Sequence, residues 1–208
     1  MGSAFVKGLE GAHPQYRRAV ACAKHFAVHS GPEHNRHSFD ARVNSFDLWD
    51  TYLPAFRDLI VKAKVHGVMC AYNRVDGQPC GGNNELRADI LRNQWEFDGY
   101  VTSDCWGISD FAAHHKTHRD NEEAVAAAVL TGTDLECGDL YHLLEQSVNR
   151  GLITERDINV SLSRLLTILF KIGMFDPVER VPYASIGGEV IECDAHKKHA
   201  YEMAQKSM

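Results

Sequence analysis

Polar and aromatic side chains recur in this sequence at the ends of four short apolar runs. Cations and imidazoles can bond sugar hydroxyls, indole and phenol rings can stack on pyranose faces, and a carboxylate completes such a set. In an α/β sheet or barrel, ligands bind at the carboxyl ends of the strands. If the runs are parallel strands, these side chains meet and predict a sugar site. The groups are Lys24–His25 with His29, Tyr72–Asn73–Arg74, Ser103–Asp104–Cys105–Trp106, and Asp134–Glu136.

Asp104 has the position of a reactive carboxylate. It directly follows the apolar run 99–103, and Trp106 and Gly107 come close behind it. A carboxylate at such a strand end could attack an anomeric carbon or anchor a sugar hydroxyl. The alternative from position alone is an aspartate that caps the next turn through local backbone hydrogen bonds. Both interpretations stay open at this point.

The four apolar runs alternate with helical patterns. Each run is followed by polar, glycine-rich sequence and then by apolar residues at helical spacing. Strands that alternate with helices predict right-handed crossovers and a parallel sheet. The predicted strands are Val20–Val28, Gly67–Asn73, Gly99–Ser103 and Thr133–Cys137. The chain therefore predicts an α/β fold with about four consecutive strand–helix units.

Capping residues indicate where the helices begin. The predicted helices are Pro54 to about Lys64, Glu85–Gln94 capped by Asn83 or Asn84, a helix from Asp120 and Asn121 to near Gly132, and a helix from Thr154 to Gly173. In the last of these, Asp157 completes a variant capping box with Thr154. Its apolar spacing predicts one buried face, formed by Ile158, Leu162, Leu165, Leu166 and Leu169.

Four strand–helix units are too few for a closed barrel of this type, which needs eight strands, and an open sheet would leave its edges exposed. Residues Phe5–Leu9 look like the tail of a helix. At the other end, the helical segment Ala195–Met208 follows an irregular linker, Asp176–Cys193. We therefore expect the chain to be a piece of a longer protein.

Composition and charge disfavour several classes of protein. The 208 residues are 44% apolar and 24% charged, the balance of a soluble globular chain. There are 22 Lys and Arg against 28 Asp and Glu, giving a net charge of −6. Nucleic acid is therefore not an expected partner, because phosphates require a basic face. A membrane is not expected either, since no apolar run approaches the roughly 18–20 residues of a membrane-spanning helix.

The six cysteines are too dilute for a disulfide scaffold and include no Cys-x-x-Cys pair. Several lie in apolar, strand-like runs, so small buried side chains are their expected state. One oxidised pair is the alternative if the protein is exported. The residues are Cys22, Cys70, Cys80, Cys105, Cys137 and Cys193.

Twelve histidines raise the alternative of a zinc-dependent barrel hydrolase. Zinc hydrolases on barrels need imidazoles that converge from strand ends, often as a His-x-His pair, and this sequence has no such pair. Surface or sugar-contacting imidazoles are the favoured interpretation, so we predict no metal site and no organic cofactor. The two groups are His25, His29, His34 and His37, and His114, His115 and His118.

Four segments together resemble glycoside hydrolase family 3, which contains β-glucosidases and β-xylosidases. They are VACAKHFAVHSGPEHNRHSFDARV (20–43), GVMCAYNRVDGQPC (67–80), GYVTSDCWGISDF (99–111) and GTDLECG (132–138). The resemblance runs through most of the chain. It implies an α/β fold that is the second half, about four strand–helix units, of a TIM-like barrel (residues 1–175). Residues 176–208 would then be a linker and the first helix of an absent α/β-sandwich domain.

The resemblance also implies roles for individual residues. Asp104 matches the nucleophile, which attacks the anomeric carbon and forms a covalent glycosyl-enzyme. Lys24 and His25 match the pair that holds sugar hydroxyls in the −1 subsite. Tyr72 matches the tyrosine beside the nucleophile, and Trp106 would form a wall of the same subsite.

The proton donor of the family usually comes from the domain that is absent here, so the fragment alone is expected to be inactive or nearly so. Among local carboxylates, Glu136 is the best placed substitute, but no motif supports that role. The SDC motif is more typical of β-xylosidases and SDW of β-glucosidases. The sequence SDCW at 103–106 puts xylose ahead of glucose.

The substrate class implied is therefore xylo- or gluco-oligosaccharides of plant polysaccharides. The parent protein is expected to be periplasmic or secreted in a bacterium. A non-catalytic half-barrel or a weak sugar-binding fragment is the main alternative. In either case, exposed barrel edges predict self-association.

Overall fold

A computed structural model describes residues 1–29 and 31–208 of the chain. Ser30, within the first of the four family-like segments, lies outside the described residues. The described chain forms the strands β1 (Cys22–Phe26), β2 (Asp40–Ala41), β3 (Gly67–Cys70), β4 (Arg74–Val75), β5 (Gln78–Pro79) and β6 (Tyr100–Thr102).

Three of the four predicted strands form a parallel sheet in the order β1-β3-β6. Ala23 of β1 pairs with Val68 of β3, which pairs with Val101 of β6. Because the strands are parallel, their carboxyl ends lie at one edge of the sheet. The register between β1 and β3 shifts between Ala23 and Phe26. The predicted α/β class with a parallel sheet is confirmed.

The fourth predicted strand is wrong in extent. Of Thr133–Cys137, only Leu135 pairs with the sheet, through a parallel bridge to Thr102. The buried carboxylate of Asp134 instead accepts hydrogen bonds from the Val101 amide (2.8 Å) and from Arg92 and Arg164 (2.9 Å each). The fourth run, which alternates charged and apolar residues, therefore contributes a single bridge to the sheet and then departs from it.

The described residues include eight α-helices. They are α1 (Gly2–Glu10), α2 (Ser45–Asp47), α3 (Pro54–Arg57), α4 (Asp110–Ala113), α5 (Asn121–Leu130), α6 (Leu144–Asn149), α7 (Glu155–Lys171) and α8 (Asp194–Ser207). Segments of π-helix occupy Leu48–Tyr52, Asp58–Lys62 and Glu85–Gln94. Short 3-10 turns occupy Glu33–Asn35, Cys80–Gly82, Tyr141–Leu143, Val178–Arg180 and Gly188–Val190.

The predicted caps are confirmed. Of the two asparagines proposed for the helical segment Glu85–Gln94, it is Asn83 whose Oδ1 accepts the Leu86 amide (3.0 Å). Asp120 accepts the Glu123 amide at the start of α5 (2.9 Å). At the start of α7, Thr154 and Asp157 form the reciprocal capping box.

The predicted buried face of α7 is wrong in part. Leu162 and Leu166 are exposed, whereas Ile168 and Ser161 are the buried residues. The helix contacts β6 and α5, so these two elements cover only a narrow stripe of its apolar face.

The sheet holds a continuous core. Phe26, Val68 and Val101, one from each strand, are fully buried. Phe26 also contacts the rings of Phe56 and Trp95 edge-on. This core fixes the strands whose carboxyl ends carry the candidate site.

Residues beyond 175 form turns and α8, which has no buried residue. Across residues 1–29 and 31–208, no helix combines the length and apolarity that crossing a membrane requires.

Candidate active site

The carboxyl ends of β1, β3 and β6 bring four of the predicted residues together. His25 Nε2, on β1, lies 3.2 Å from Oδ2 of Asp104, two residues past β6. Tyr72, two residues past β3, lies close enough to Asp104 for that carboxylate to perturb its phenol. Lys24 is exposed beside His25. The ends of β1, β3 and β6 thus converge as expected, and the roles assigned to these residues stay predictions.

Burial and neighbouring charges of both signs act on the pKa of His25, and they do not all act in the same direction. Its burial lowers the pKa of the imidazole below the usual value, and the charges of Lys24 and His29 act in the same direction. The Asp104 carboxylate opposes this shift but does not overcome it. A neutral His25 can therefore present an Nε2–H to the carboxylate, as a donor that orients one of its oxygens.

Tyr72 is held on the other side of Asp104. Its Oη donates to the carbonyl oxygen of Cys105 (2.8 Å), and its ring packs 4.3 Å from that of His37, centroid to centroid. Burial and the neighbouring Asp104 charge raise the pKa of Tyr72 to about 12. The phenol thus keeps its proton at neutral pH and acts as a hydrogen-bond donor.

The two carboxylate oxygens of Asp104 have different surroundings. Oδ1 accepts the amide of Cys105 (2.8 Å), whereas Oδ2 faces His25. The side chain is 13% exposed. The local backbone bond of the capping interpretation is therefore present, yet it uses one oxygen and leaves the other pointing toward β1.

The loop after Asp104 is tied to the fourth run by a disulfide between Cys105 and Cys137. The Cys137 amide donates to Oγ of Ser103 (2.9 Å), and the Trp106 amide donates to the Cys137 carbonyl (2.6 Å). The expectation of small buried cysteines holds for Cys70 and Cys80 but is wrong for this pair.

A sequence signal for the disulfide existed. Cys105 and Cys137 each directly follow an acidic residue at the end of a predicted strand, Asp104 and Glu136, on neighbouring runs of the sheet. Cys105 is three residues past Thr102, and Cys137 is two residues past Leu135, the bridge partner of Thr102. Residues just past neighbouring strand ends can lie within the Cα distance of about 4.4–6.8 Å that a disulfide needs.

Trp106 lies on the same loop, but its indole is 61% exposed. Its backbone is in the left-handed region, with φ +59, which is costly for a bulky side chain. The Cys137 carbonyl and the adjacent disulfide hold it there. Its predicted part in the wall of a sugar subsite stays a prediction.

Glu136, the local carboxylate considered as a proton donor, is bound to its own loop. Its Oε2 accepts the amides of Leu140 (2.7 Å) and Tyr141 (2.6 Å). Burial raises the pKa of this carboxyl. The carboxylate therefore has a capping role at the turn that follows the fourth run.

Sequence reasoning missed a cluster next to Tyr72. Members of both histidine groups, His37 and His114, converge on Asp110. The Asp-x-x-x-His spacing of Asp110 and His114 on one helical turn was the available signal. For His115, a member of the second histidine group, the interpretation as a surface or sugar-contacting imidazole is wrong, because His115 is buried.

Comparison with known proteins shows a family match. The model of the glycosyl hydrolase family 3 N terminal domain matches residues 1–168. The xylan 1,4-beta-xylosidase of Xylanibacter ruminicola is 42% identical over 212 residues, covering 100% of this chain and 25% of that protein. Beta-D-xylosidase 1 of Arabidopsis thaliana is 36% identical, covering 99% of this chain and 27% of that protein.

Solved structures agree with these relatives. A GH3 exo-beta-xylosidase (XlnD) in complex with a xylobiose aziridine activity-based probe matches with a TM-score of 0.89 and 31% identity, over 99% of this chain and 27% of that chain. A beta-glucosidase from Listeria innocua in complex with glucose matches with a TM-score of 0.79 and 29% identity, over 93% of this chain and 27% of that chain. The chain thus spans about a quarter of the length of the proteins it matches.

Proposed function

This chain belongs to glycosyl hydrolase family 3, and from that premise we propose that it is part of the catalytic domain of a retaining exo-β-glycosidase. Residues 1–175 would form the second half of a TIM-like barrel. Residues 176–208 would form a linker and the first helix of a following α/β-sandwich domain. The parallel order β1-β3-β6 supports the barrel part, and the family-model match over residues 1–168 supports a division near residue 175.

The reaction proposed for Asp104 is displacement at the anomeric carbon. Oδ2, the oxygen that does not accept the Cys105 amide, attacks that carbon. The glycosidic C–O bond breaks, and a glycosyl-aspartate ester forms. The departing oxygen takes a proton from an acid outside this chain. Water then attacks the same carbon with loss of a proton to that group, which releases the sugar with retained configuration and restores the carboxylate.

The neighbouring side chains have matching roles. His25 orients Oδ2, and Lys24 and His25 together bond hydroxyls of the terminal sugar. Tyr72, protonated and fixed on the Cys105 carbonyl, places a phenol edge beside the reacting carbon. Trp106 would add an exposed aromatic face at the rim.

A single observation carries this proposal. A partly exposed carboxylate, Asp104, stands at the carboxyl edge of a parallel sheet with an imidazole nitrogen 3.2 Å from Oδ2. That arrangement leaves the oxygen reachable from solvent while a neutral donor fixes its direction. The Cys105 amide occupies only Oδ1, as a local cap does, and Oδ2 remains available for the reaction proposed here.

Terminal β-linked xylose is the proposed substrate, ahead of glucose. The two relatives named above are xylosidases, one from a bacterium and one from a plant. The solved structures include both a xylosidase and glucosidases. The oxidised pair Cys105–Cys137 supports export of the protein to an oxidising compartment.

The test is covalent labelling of the longer enzyme that contains this sequence. Incubation with 2-deoxy-2-fluoro xyloside and glucoside inactivators, followed by peptide mass analysis, should place the label on Asp104, faster from the xyloside. Asp104→Asn should abolish labelling and hydrolysis, because an amide is a far weaker nucleophile. Asp98→Asn, an exposed residue at the other end of the same strand, is the matched control and should keep both. Labelling of another residue, or activity retained in Asp104→Asn, contradicts the proposal.

The chain alone is proposed to lack hydrolytic activity and to self-associate. Large apolar side chains on α7, including Leu162, Leu166 and Phe170, are exposed. Exposed apolar surfaces of this kind favour association with another molecule. Sedimentation of the purified chain should show a concentration-dependent dimer or larger species, and aryl β-glycosides with unactivated leaving groups should not be hydrolysed. A dilute, well-behaved monomer, or turnover of such a substrate, contradicts these expectations.

A further inference from the structure

His37, Asp110 and His114 form a compact group next to the candidate active site. His37 Nδ1 lies 2.8 Å from Asp110 Oδ2, and His114 Nδ1 lies 2.7 Å from Asp110 Oδ1. The three side chains each offer a ligand atom, and these atoms all lie within 4.8 Å of one another. His37 comes from the loop after β1, whereas Asp110 and His114 belong to α4 and its C-terminal cap.

Asp110 is a buried carboxylate held between two imidazoles. Its side chain is 2% exposed, and among the described residues its ion-pair partners are these two imidazoles. A buried carboxylate is costly unless its oxygens are bonded and a cation lies beside it. A divalent cation between the three groups would bond the same three side chains and place a permanent positive charge beside the carboxylate.

The ligand set and its exposure fit a transition metal. Two imidazole nitrogens and one carboxylate oxygen are the donors of open zinc sites, which keep a fourth position for water. His37 and His114 are 38% and 54% exposed, so an ion has an entry path and both rings have room to turn. Tetrahedral bonds of about 2.0–2.1 Å separate ligand atoms by roughly 3.3 Å. The contact of 2.7–2.8 Å to the ligating oxygen would therefore lengthen by about half an ångström, and the imidazole that now contacts the other oxygen would move to reach the same ion.

We propose that His37, Asp110 and His114 bind one divalent transition-metal ion, with Zn²⁺ as the best-matched ion. Both histidines ligate through Nδ1, and Asp110 contributes one oxygen. Arg36 Nε, which donates to His37 Nε2 (3.2 Å), would turn away on binding, because Nε2 then carries the ring proton. The ion cross-links the loop after β1 to α4. This cross-link lies next to Tyr72, whose ring contacts that of His37. The metal thus fixes the mouth of the site and takes no part in the chemistry at Asp104.

The experiment is a titration of the purified chain after removal of metal by a chelator. Isothermal titration with ZnCl₂ at pH 7.5 should give one ion per chain. CoCl₂ should give the intense visible absorption of a tetrahedral site. The melting temperature should rise with Zn²⁺ concentration, since an ion that binds only the folded state stabilises it. These readouts do not depend on enzymatic activity.

Single substitutions locate the ion. His37→Gln and His114→Gln change exposed side chains and should each lower Zn²⁺ affinity at least tenfold. Asp110→Asn should do the same. If that buried variant fails to fold, the two histidine variants carry the test. His29→Gln is the control, because His29 contacts His25 in the other imidazole pair, with ring centroids 4.9 Å apart.

Three results would overturn the proposal. They are no saturable binding of Zn²⁺ or Co²⁺ at 1:1, an affinity unchanged in both His37→Gln and His114→Gln, and an affinity lost in His29→Gln alone. In the first case, the group is a carboxylate held by two imidazoles without an ion. In the last case, the ion belongs to the pair at the end of β1.

Discussion

Reduction of the Cys105–Cys137 disulfide should lower the melting temperature of the chain by roughly 7–15 °C. The bond closes a loop with a sequence separation of 32 residues. In the chain-entropy model, a loop of that length restricts the unfolded state by about 3.7 kcal/mol at 25 °C. For a chain of this size, each kcal/mol shifts the melting temperature by roughly 2–4 °C.

The assay is calorimetry with and without a phosphine reductant, with the number of free thiols measured by alkylation and intact mass. Reductant should destabilise the wild-type chain but leave a Cys105→Ala/Cys137→Ala double variant unchanged, because that variant already lacks the bond. Cys193→Ala is the matched control. It removes a free, half-buried thiol and should respond to reductant as the wild type does.

The reasoning is refuted if the fully reduced wild-type chain, with all six thiols alkylated after unfolding, melts at the same temperature as the oxidised chain. A loss equal in the wild type and in the double variant would likewise place the effect of the reductant elsewhere in the molecule.

Three further outcomes follow from contacts in the fold. Asp134→Asn removes the buried carboxylate between two arginines and should cost about 3–5 kcal/mol in chemical denaturation, whereas exposed Asp98→Asn should leave the midpoint unchanged. In NMR titrations, His25 should have a pKa below 6.5, and Asp104→Asn should lower that pKa further because the carboxylate that raises it is gone. The pKa of His25 in the folded state thus lies below its value in the unfolded state. The stability linked to His25 is therefore present above pH 6.5 and is lost as the pH falls. Thr154→Ala should lower the melting temperature of the chain by about 2–4 °C through loss of the α7 cap, whereas Thr167→Ala, on the same helix, should have little effect.

Much of the candidate site could be predicted because its geometry follows from strand periodicity. Parallel strands put their carboxyl ends at one edge, so residues at those ends, among them His25, Tyr72 and Asp104, could be expected to converge once the runs were strands. The caps at Asn83, Asp120 and Thr154 were equally accessible, since each depends on a side chain and an amide three residues apart.

The remainder depends on contacts between distant segments, which local patterns do not encode. His37 meets Asp110 across 73 positions, and the loops that bring them together carry no periodicity. The length of the fourth strand was overestimated for a similar reason. Its apolar residues favour a strand, but the hydrogen bonds of Asp134 to Arg92 and Arg164 decide where the run leaves the sheet.

The nucleophile proposed at Asp104 is positioned from three directions before any sugar binds. Tyr72 holds the Cys105 carbonyl from the β3 side, Cys137 holds the following loop from the fourth run, and His25 faces Oδ2 from β1. An oxygen fixed in this way loses little orientational freedom when a substrate arrives, and preorganisation of that kind lowers the reorganisation cost of the reaction. Loosening any of the three contacts should therefore lower kcat of the longer enzyme more than it raises KM.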